Sequence, residues 1–144
     1  MSSVEVLLVD DERPFVATMT KRLTKRNLSV LNAFSGLEAL ERLEKQANVD
    51  VVILDVKMEG MDGIDTLRAI KMQYPLVEVI VLTGHATVDS AIEGMRLGAY
   101  DYLMKPCDIE QLLAKIHEAK AKKSRQEERL AQVRIMKFAM RNGG

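Results

Sequence analysis

Cysteine is all but missing from this chain. Cys107 stands alone among 144 residues, so no disulfide can close within the chain, in agreement with a reducing compartment. Packing near a strand end is its expected role. Long apolar runs are missing as well. None approaches the roughly 18 residues that a bilayer span requires, and Met1 to Glu5 places no basic stretch ahead of an apolar one. A soluble cytoplasmic protein without a membrane partner is expected. Histidine is scarce, and His85 and His117 have no partners at metal-ligand spacing, which speaks against zinc. No serine or cysteine has a neighbouring base arranged for acyl transfer. Gly60, Gly63 and Gly84 do not form a nucleotide-binding loop, and the nine methionines suit core gaps or tail contacts.

Net charge is absent only in sum. Residues 1–116 hold 13 Lys/Arg against 18 Asp/Glu, a balance of −5, whereas residues 117–144 hold 8 against 3, a balance of +5. A basic tail can meet nucleic acid or an acidic partner, but a solvated helix surface is the commoner reason for one, and direct nucleic-acid binding is not expected. With 47% hydrophobic and 29% charged residues, disordered and fibrous classes are excluded and one domain with a sizeable core is expected.

What the chain does have is alternation. Short apolar runs rich in β-branched residues occupy 4–9, 28–33, 51–54, 77–82 and 100–104, and their near-continuous hydrophobicity marks strands covered on both faces. Between them, helical spacing appears at 14–26 (Phe15, Met19, Leu23), 36–47 (Leu37, Leu40, Leu43), 64–74 and 87–97. Pro14 suits a first helical turn, Pro75 a stop and Gly98 a C-cap. A fifth helix opens at Asp108 and carries Ile109, Leu112, Leu113 and Ile116 on one face. Beyond it, 117–129 is rich in helix formers and 130–140 is apolar again, which reads as one long helix or two with a soft joint. This (βα)5 pattern predicts a doubly wound parallel α/β sheet, whose ligands bind outside the carboxyl ends of the strands.

At those ends stand the unusual polar residues. "VLLVDDERP" (6–14) runs an apolar strand into Asp10, Asp11 and Glu12; Asp55 follows "VVIL", Thr83 follows "VIVL" and Lys105 follows "YDYLM". Crowded carboxylates need a compensating cation, and a few hard oxygen ligands suit magnesium, Mg²⁺, better than zinc. A carboxylate flanked by a metal, a lysine and a hydroxyl makes a phosphoryl-transfer site, with Asp55 the best-placed nucleophile.

The segments "LLVDDE" (7–12), "VVILDVKMEGMDGIDTLRAI" (51–70), "VIVLTGHAT" (79–87) and "GAYDYLMKP" (98–106), in that order, closely resemble the receiver domain of bacterial two-component response regulators. The resemblance implies a flavodoxin-like fold of strand order 2-1-3-4-5 with an extended C-terminal helix. It implies a receiver at 1–117 and a basic helical tail at 118–144, an extension of helix five or a linker or dimerisation segment. It implies that Asp55 accepts a phosphoryl group from a phosphohistidine on a sensor histidine kinase or phosphotransfer protein. Asp11, Asp55 and the Lys57 carbonyl would hold Mg²⁺, Asp10 would act through water, and Glu12 would stay outside. Thr83 and Lys105 would each take a phosphoryl oxygen, and Tyr102 would turn inward with Thr83, biasing the surface of helix four, strand five and helix five toward a downstream partner. Lys57 and His85 occupy the positions that tune phosphoryl lifetime, and Lys105-Pro106 matches a cis bond. One departure is visible: Glu59, then Gly60, stand where a proline often follows Met58.

Two rivals belong to other classes. An aspartyl-phosphate hydrolase would need a carboxylic acid two residues beyond Asp55, where Lys57 stands. An assembly module would act through the tail, where Leu130, Val133, Met136 or Lys137, and Met140 give a partial heptad and leave a homodimer open.

Overall fold

Each apolar run becomes a strand in the computed structural model, which describes residues 3–58 and 63–143. The order is β1 (Glu5–Val9), α1 (Arg13–Thr24), β2 (Ser29–Ala33), α2 (Gly36–Lys45), β3 (Val51–Leu54), α3 (Gly63–Gln73), β4 (Glu78–Thr83), α4 (Val88–Arg96), β5 (Asp101–Met104) and α5 (Ile109–Asn142). The strands pair in parallel in the order β2-β1-β3-β4-β5, as expected. Side chains alternate across the sheet. Val6, Leu8, Ile53, Ile80 and Leu82 therefore face a layer made with Leu23, Leu112 and Ile116. Leu7, Val9, Val52, Leu54, Val79 and Val81 face a second layer made with Leu43, Leu67 and Ile70.

Local chemistry sets the helix ends. Pro14 lies in the first turn of α1, where a missing N–H costs nothing. Ser35 Oγ accepts the Glu38 N–H at 3.1 Å. Thr87 Oγ1 accepts the Ser90 N–H at 3.0 Å while Ser90 Oγ accepts the Thr87 N–H at 3.1 Å, a reciprocal cap on α4. Each such cap is worth about 1 kcal/mol. Gly98 takes φ +103° just past α4, a conformation that any Cβ would strain. Gly63 is required for space instead: a Cβ there would sit 2.1 Å from the Val56 Cα, so glycine lets α3 start against the segment that follows Asp55.

The tail is one unbroken helix. α5 runs from Ile109 to Asn142, without the soft joint that the sequence allowed. Its first half lies on the sheet, with Leu112, Ile116 and Ala119 fully buried. It then meets the opposite end of the domain, where the strands begin. There Asp50, just ahead of β3, accepts hydrogen bonds from the Glu5 N–H (2.9 Å), Lys120 Nζ (2.9 Å) and Lys123 Nζ (3.1 Å). Burial pushes the Asp50 carboxyl up, but these three donors outweigh it and hold the group below its ordinary value. Glu78, at the start of β4, faces Lys71 (3.3 Å) and Lys122 (3.0 Å). The Lys122 contact has ion-pair distance without hydrogen-bond alignment, so Glu78 Oε2 keeps no hydrogen bond among the described residues. Part of the tail's basic charge is thus bound to the domain rather than simply solvated. No helix among the described residues is long and apolar enough to cross a membrane.

Candidate functional site

Parallel pairing carries the chemistry to one edge. Val9 lies opposite Leu54, and Leu54 opposite Val81, so the residues after them leave the sheet together. The Asp55 N–H donates to the Val9 carbonyl at 3.0 Å, which fixes Asp55 beside Asp10. Carboxylate oxygens of Asp10, Asp11 and Asp55 all lie within 4.8 Å of one another. Asp10 and Asp55 are 1% and 2% exposed, whereas Asp11 opens to solvent.

Both buried acids are held by directed bonds. Asp10 Oδ1 accepts the Glu12 N–H at 2.9 Å, and Asp55 Oδ1 accepts the Lys57 N–H at 3.0 Å. Lys105 approaches from the end of β5, its Nζ 2.6 Å from Asp10 Oδ2 and 3.5 Å from both Asp55 Oδ2 and Glu12 Oε1. The same ammonium sits 4.0 Å from the centroid of the Phe15 ring, a cation–π contact that limits where it can swing. Burial pushes the Asp10 carboxyl above its ordinary value despite the pull of Lys105 and the Glu12 N–H. Burial also disfavours the Lys105 ammonium, but Asp10, Asp55 and Glu12 together hold its pKa above the usual lysine value. The Lys105-Pro106 bond is cis.

Thr83, fully buried as the last residue of β4, stands next to Lys105: its carbonyl accepts the Lys105 N–H at 2.9 Å. Thr83 Oγ1 accepts the His85 N–H at 3.1 Å, tying the loop ahead of α4 to the strand. Tyr102 lies farther out, half-buried, with its hydroxyl 2.7 Å from Ser90 Oγ. Its ring covers Gly94, where a Cβ would come within 3.1 Å of Tyr102 Cδ2. Lys57 and His85 are exposed beside this pocket. The Glu59-Gly60 departure lies outside the described residues.

Asp10, Asp11, Asp55 and Lys105 are therefore brought together, with Thr83 adjoining and Tyr102 on the flank. Sequence reading missed the contact of Phe15 and Glu12 with Lys105, and that of Ser90 with Tyr102. Phe15 reads as an ordinary core position of α1, and contacts made across elements leave no mark in local spacing. The donor set suits a hard divalent ion: three carboxylate oxygens converge, with no histidine or cysteine among them.

Comparison with known proteins agrees with this geometry. The chain matches the response regulator receiver domain family over residues 6–117. It is 37% identical over 119 residues to the transcriptional regulatory protein ZraR of Escherichia coli (strain K12), covering 83% of this chain and 27% of that protein. It is 37% identical over 112 residues to the DNA-binding transcriptional regulator NtrC of Klebsiella pneumoniae, covering 78% and 24%. The chain thus spans about a quarter of the length of these relatives. Among solved structures, a response regulator receiver domain protein from Clostridium thermocellum superposes with a TM-score of 0.80 at 37% identity, over 84% of this chain and 97% of the other. By sequence, fold and the convergence of acids at one sheet edge, the chain belongs to the response regulator receiver domain family, a phosphoacceptor signalling unit of two-component systems.

Proposed function

We propose that Asp55 is the phosphoacceptor and that its donor is a phosphohistidine on a sensor histidine kinase or phosphotransfer protein. The observation that carries this reading is the placement of the Asp55 carboxylate. One oxygen is anchored by the Lys57 N–H while the other faces Lys105, beside the carboxylates of Asp10 and Asp11. The Asp55 carboxylate attacks phosphorus, an O–P bond forms, and the N–P bond breaks with its electron pair left on the imidazole nitrogen. Lys105 stands where it can neutralise a phosphoryl oxygen, so positioning and charge do the catalysis. Asp11, Asp55 and the Lys57 carbonyl would hold Mg²⁺, with Asp10 acting through water, and the ion when bound offsets the negative charge shared by carboxylates and phosphoryl group. Beyond this self-directed transfer and slow hydrolysis of its own aspartyl phosphate, with Lys57 and His85 placed to tune it, no turnover of outside substrates is proposed.

The response starts at Thr83. Drawing its hydroxyl toward a phosphoryl oxygen sacrifices the bond from the His85 N–H, and the loop capped by Thr87 follows. Tyr102 then trades Ser90 for an inward position, altering the face of α4, β5 and α5 that meets a downstream partner. The test is labelling with a small acyl phosphate and Mg²⁺, comparing wild type with Asp55→Ala. Wild type takes one label that the variant lacks; undiminished labelling of the variant would sink the assignment.

A further inference from the structure

The end of α5 carries a surface that the phosphoryl switch does not use. Every residue from 127 to 143 is exposed, yet Val133, Ile135, Met136, Phe138 and Met140 are large apolar side chains, 40–74% exposed. From Arg129 onward the only charges are Arg129, Arg134, Lys137 and Arg141, with no acid among them. At about 100° per residue, Arg134, Lys137 and Arg141 form one narrow stripe. That stripe continues the line of Leu112, Ile116, Ala119 and Lys123, by which α5 packs on the domain. Leu130 lies on the side of the stripe. The other apolar side chains occupy the remaining sector, about 220° wide by the same count, which faces away from the domain. Gln132 interrupts that sector, and Arg129, just ahead of the segment, projects on the same side.

We infer that residues 130–141 form an interfacial helix that lies on an anionic lipid surface. Three features favour that occupant. A two-stranded coiled coil covers only a narrow seam, and here it would leave either Ile135 and Phe138 or Val133 and Met140 in water. Pairing two such tails would also bring like charges together with no acid to form salt bridges between them. Nucleic acid would take the basic stripe but leave the apolar sector uncovered. An anionic bilayer accepts both, the wide sector entering the acyl boundary and the arginines and lysine reaching phosphate. The sidedness fits as well: stripe and receiver domain share one side of α5, so immersing the apolar sector leaves the domain in water. The acidic pocket stays at the far end of the strands from the tail. The lack of a spanning helix does not bear on a helix that lies along the surface.

The test is flotation of the full chain with vesicles of phosphatidylcholine alone or of equimolar phosphatidylcholine and phosphatidylglycerol, at low and high salt. The chain is expected to float with the anionic vesicles only, and less at high salt. Lys137→Gln and Arg141→Gln should each weaken binding about fivefold, and Ile135→Ser with Phe138→Ser should abolish it. All four positions are exposed, and circular dichroism with acyl-phosphate labelling checks that each variant keeps its fold. Absence of flotation with anionic vesicles overturns the inference. So does a lipid-free oligomer, seen by sedimentation, that Ile135→Ser with Phe138→Ser dissolves, because the sector would then belong to a second copy.

Discussion

The two ends of the sheet handle buried carboxylates in opposite ways. Where the strands begin, Asp50 and Glu78 meet four lysines, Lys71, Lys120, Lys122 and Lys123. Where the strands end, Asp10, Glu12 and Asp55 share Lys105, and Asp11 stands beside them. Surplus cation at one end makes a fastening for α5; surplus anion at the other makes a place for an ion and a phosphoryl group. Burial alone does not separate a structural acid from a functional one, because both ends are buried. The local charge balance does.

The same substitution at each end should therefore act with opposite sign. Asp50→Asn removes the charge that Lys120 and Lys123 share and is expected to cost about 2 kcal/mol, less than a fully broken buried pair because Lys123 keeps Glu127 at 3.1 Å and Lys120 can turn to water. Chemical denaturation measures this, and a neutral result would dissolve the contrast. Lys105→Met removes the one lysine that Asp10, Glu12 and Asp55 share and should cost roughly 2 kcal/mol without metal. Lys123→Met, with Lys120 still on Asp50, should stay within about 1 kcal/mol of wild type. Asp55→Asn keeps an acceptor for the Lys57 N–H while removing repulsion with Asp10, and should stabilise the metal-free protein by about 1 kcal/mol. If Asp55→Asn destabilises, the charge surplus at the strand ends is not real.

The smallest effect is one of pH. Asp50 has a folded pKa below its ordinary 3.8, so its contribution to stability is complete above that value. It is lost as the pH falls through the folded pKa, when the folded state must also take the proton. Denaturation curves of wild type should therefore weaken below about pH 3.8, and Asp50→Asn should flatten that part of the profile. Equal slopes in the two proteins would place the acid sensitivity elsewhere.

The end with surplus anion was legible in the sequence, and the fastening was not, for a physical reason. Asp10, Asp11, Asp55, Thr83 and Lys105 each terminate an apolar run, and parallel strands must bring such termini to one edge. Asp50 just precedes its run and Glu78 opens its strand, but their partners on α5 sit about seventy residues and more than forty residues away. The basic stretch 117–129 therefore looks like a solvated helix until the helix is laid across the sheet. Ser90 is hidden for the same reason: its capping bond with Thr87 is local, but its bond to Tyr102 is tertiary. The five strands and the four crossovers between them follow from hydrophobic periodicity, which is local, whereas the strand order comes from the family resemblance.

The unbroken course of α5 has a mechanical consequence. The 19 residues beyond Lys123, up to Asn142, extend about 28 Å at 1.5 Å per residue, with the lysine fastening as fulcrum. A rotation of about 5° at the fulcrum would carry the tip about 2.5 Å over that length. A long stiff helix thus amplifies: a rearrangement of β5 and α5 too small to reshape the domain arrives at the far end as a displacement wide enough for a partner surface to sense.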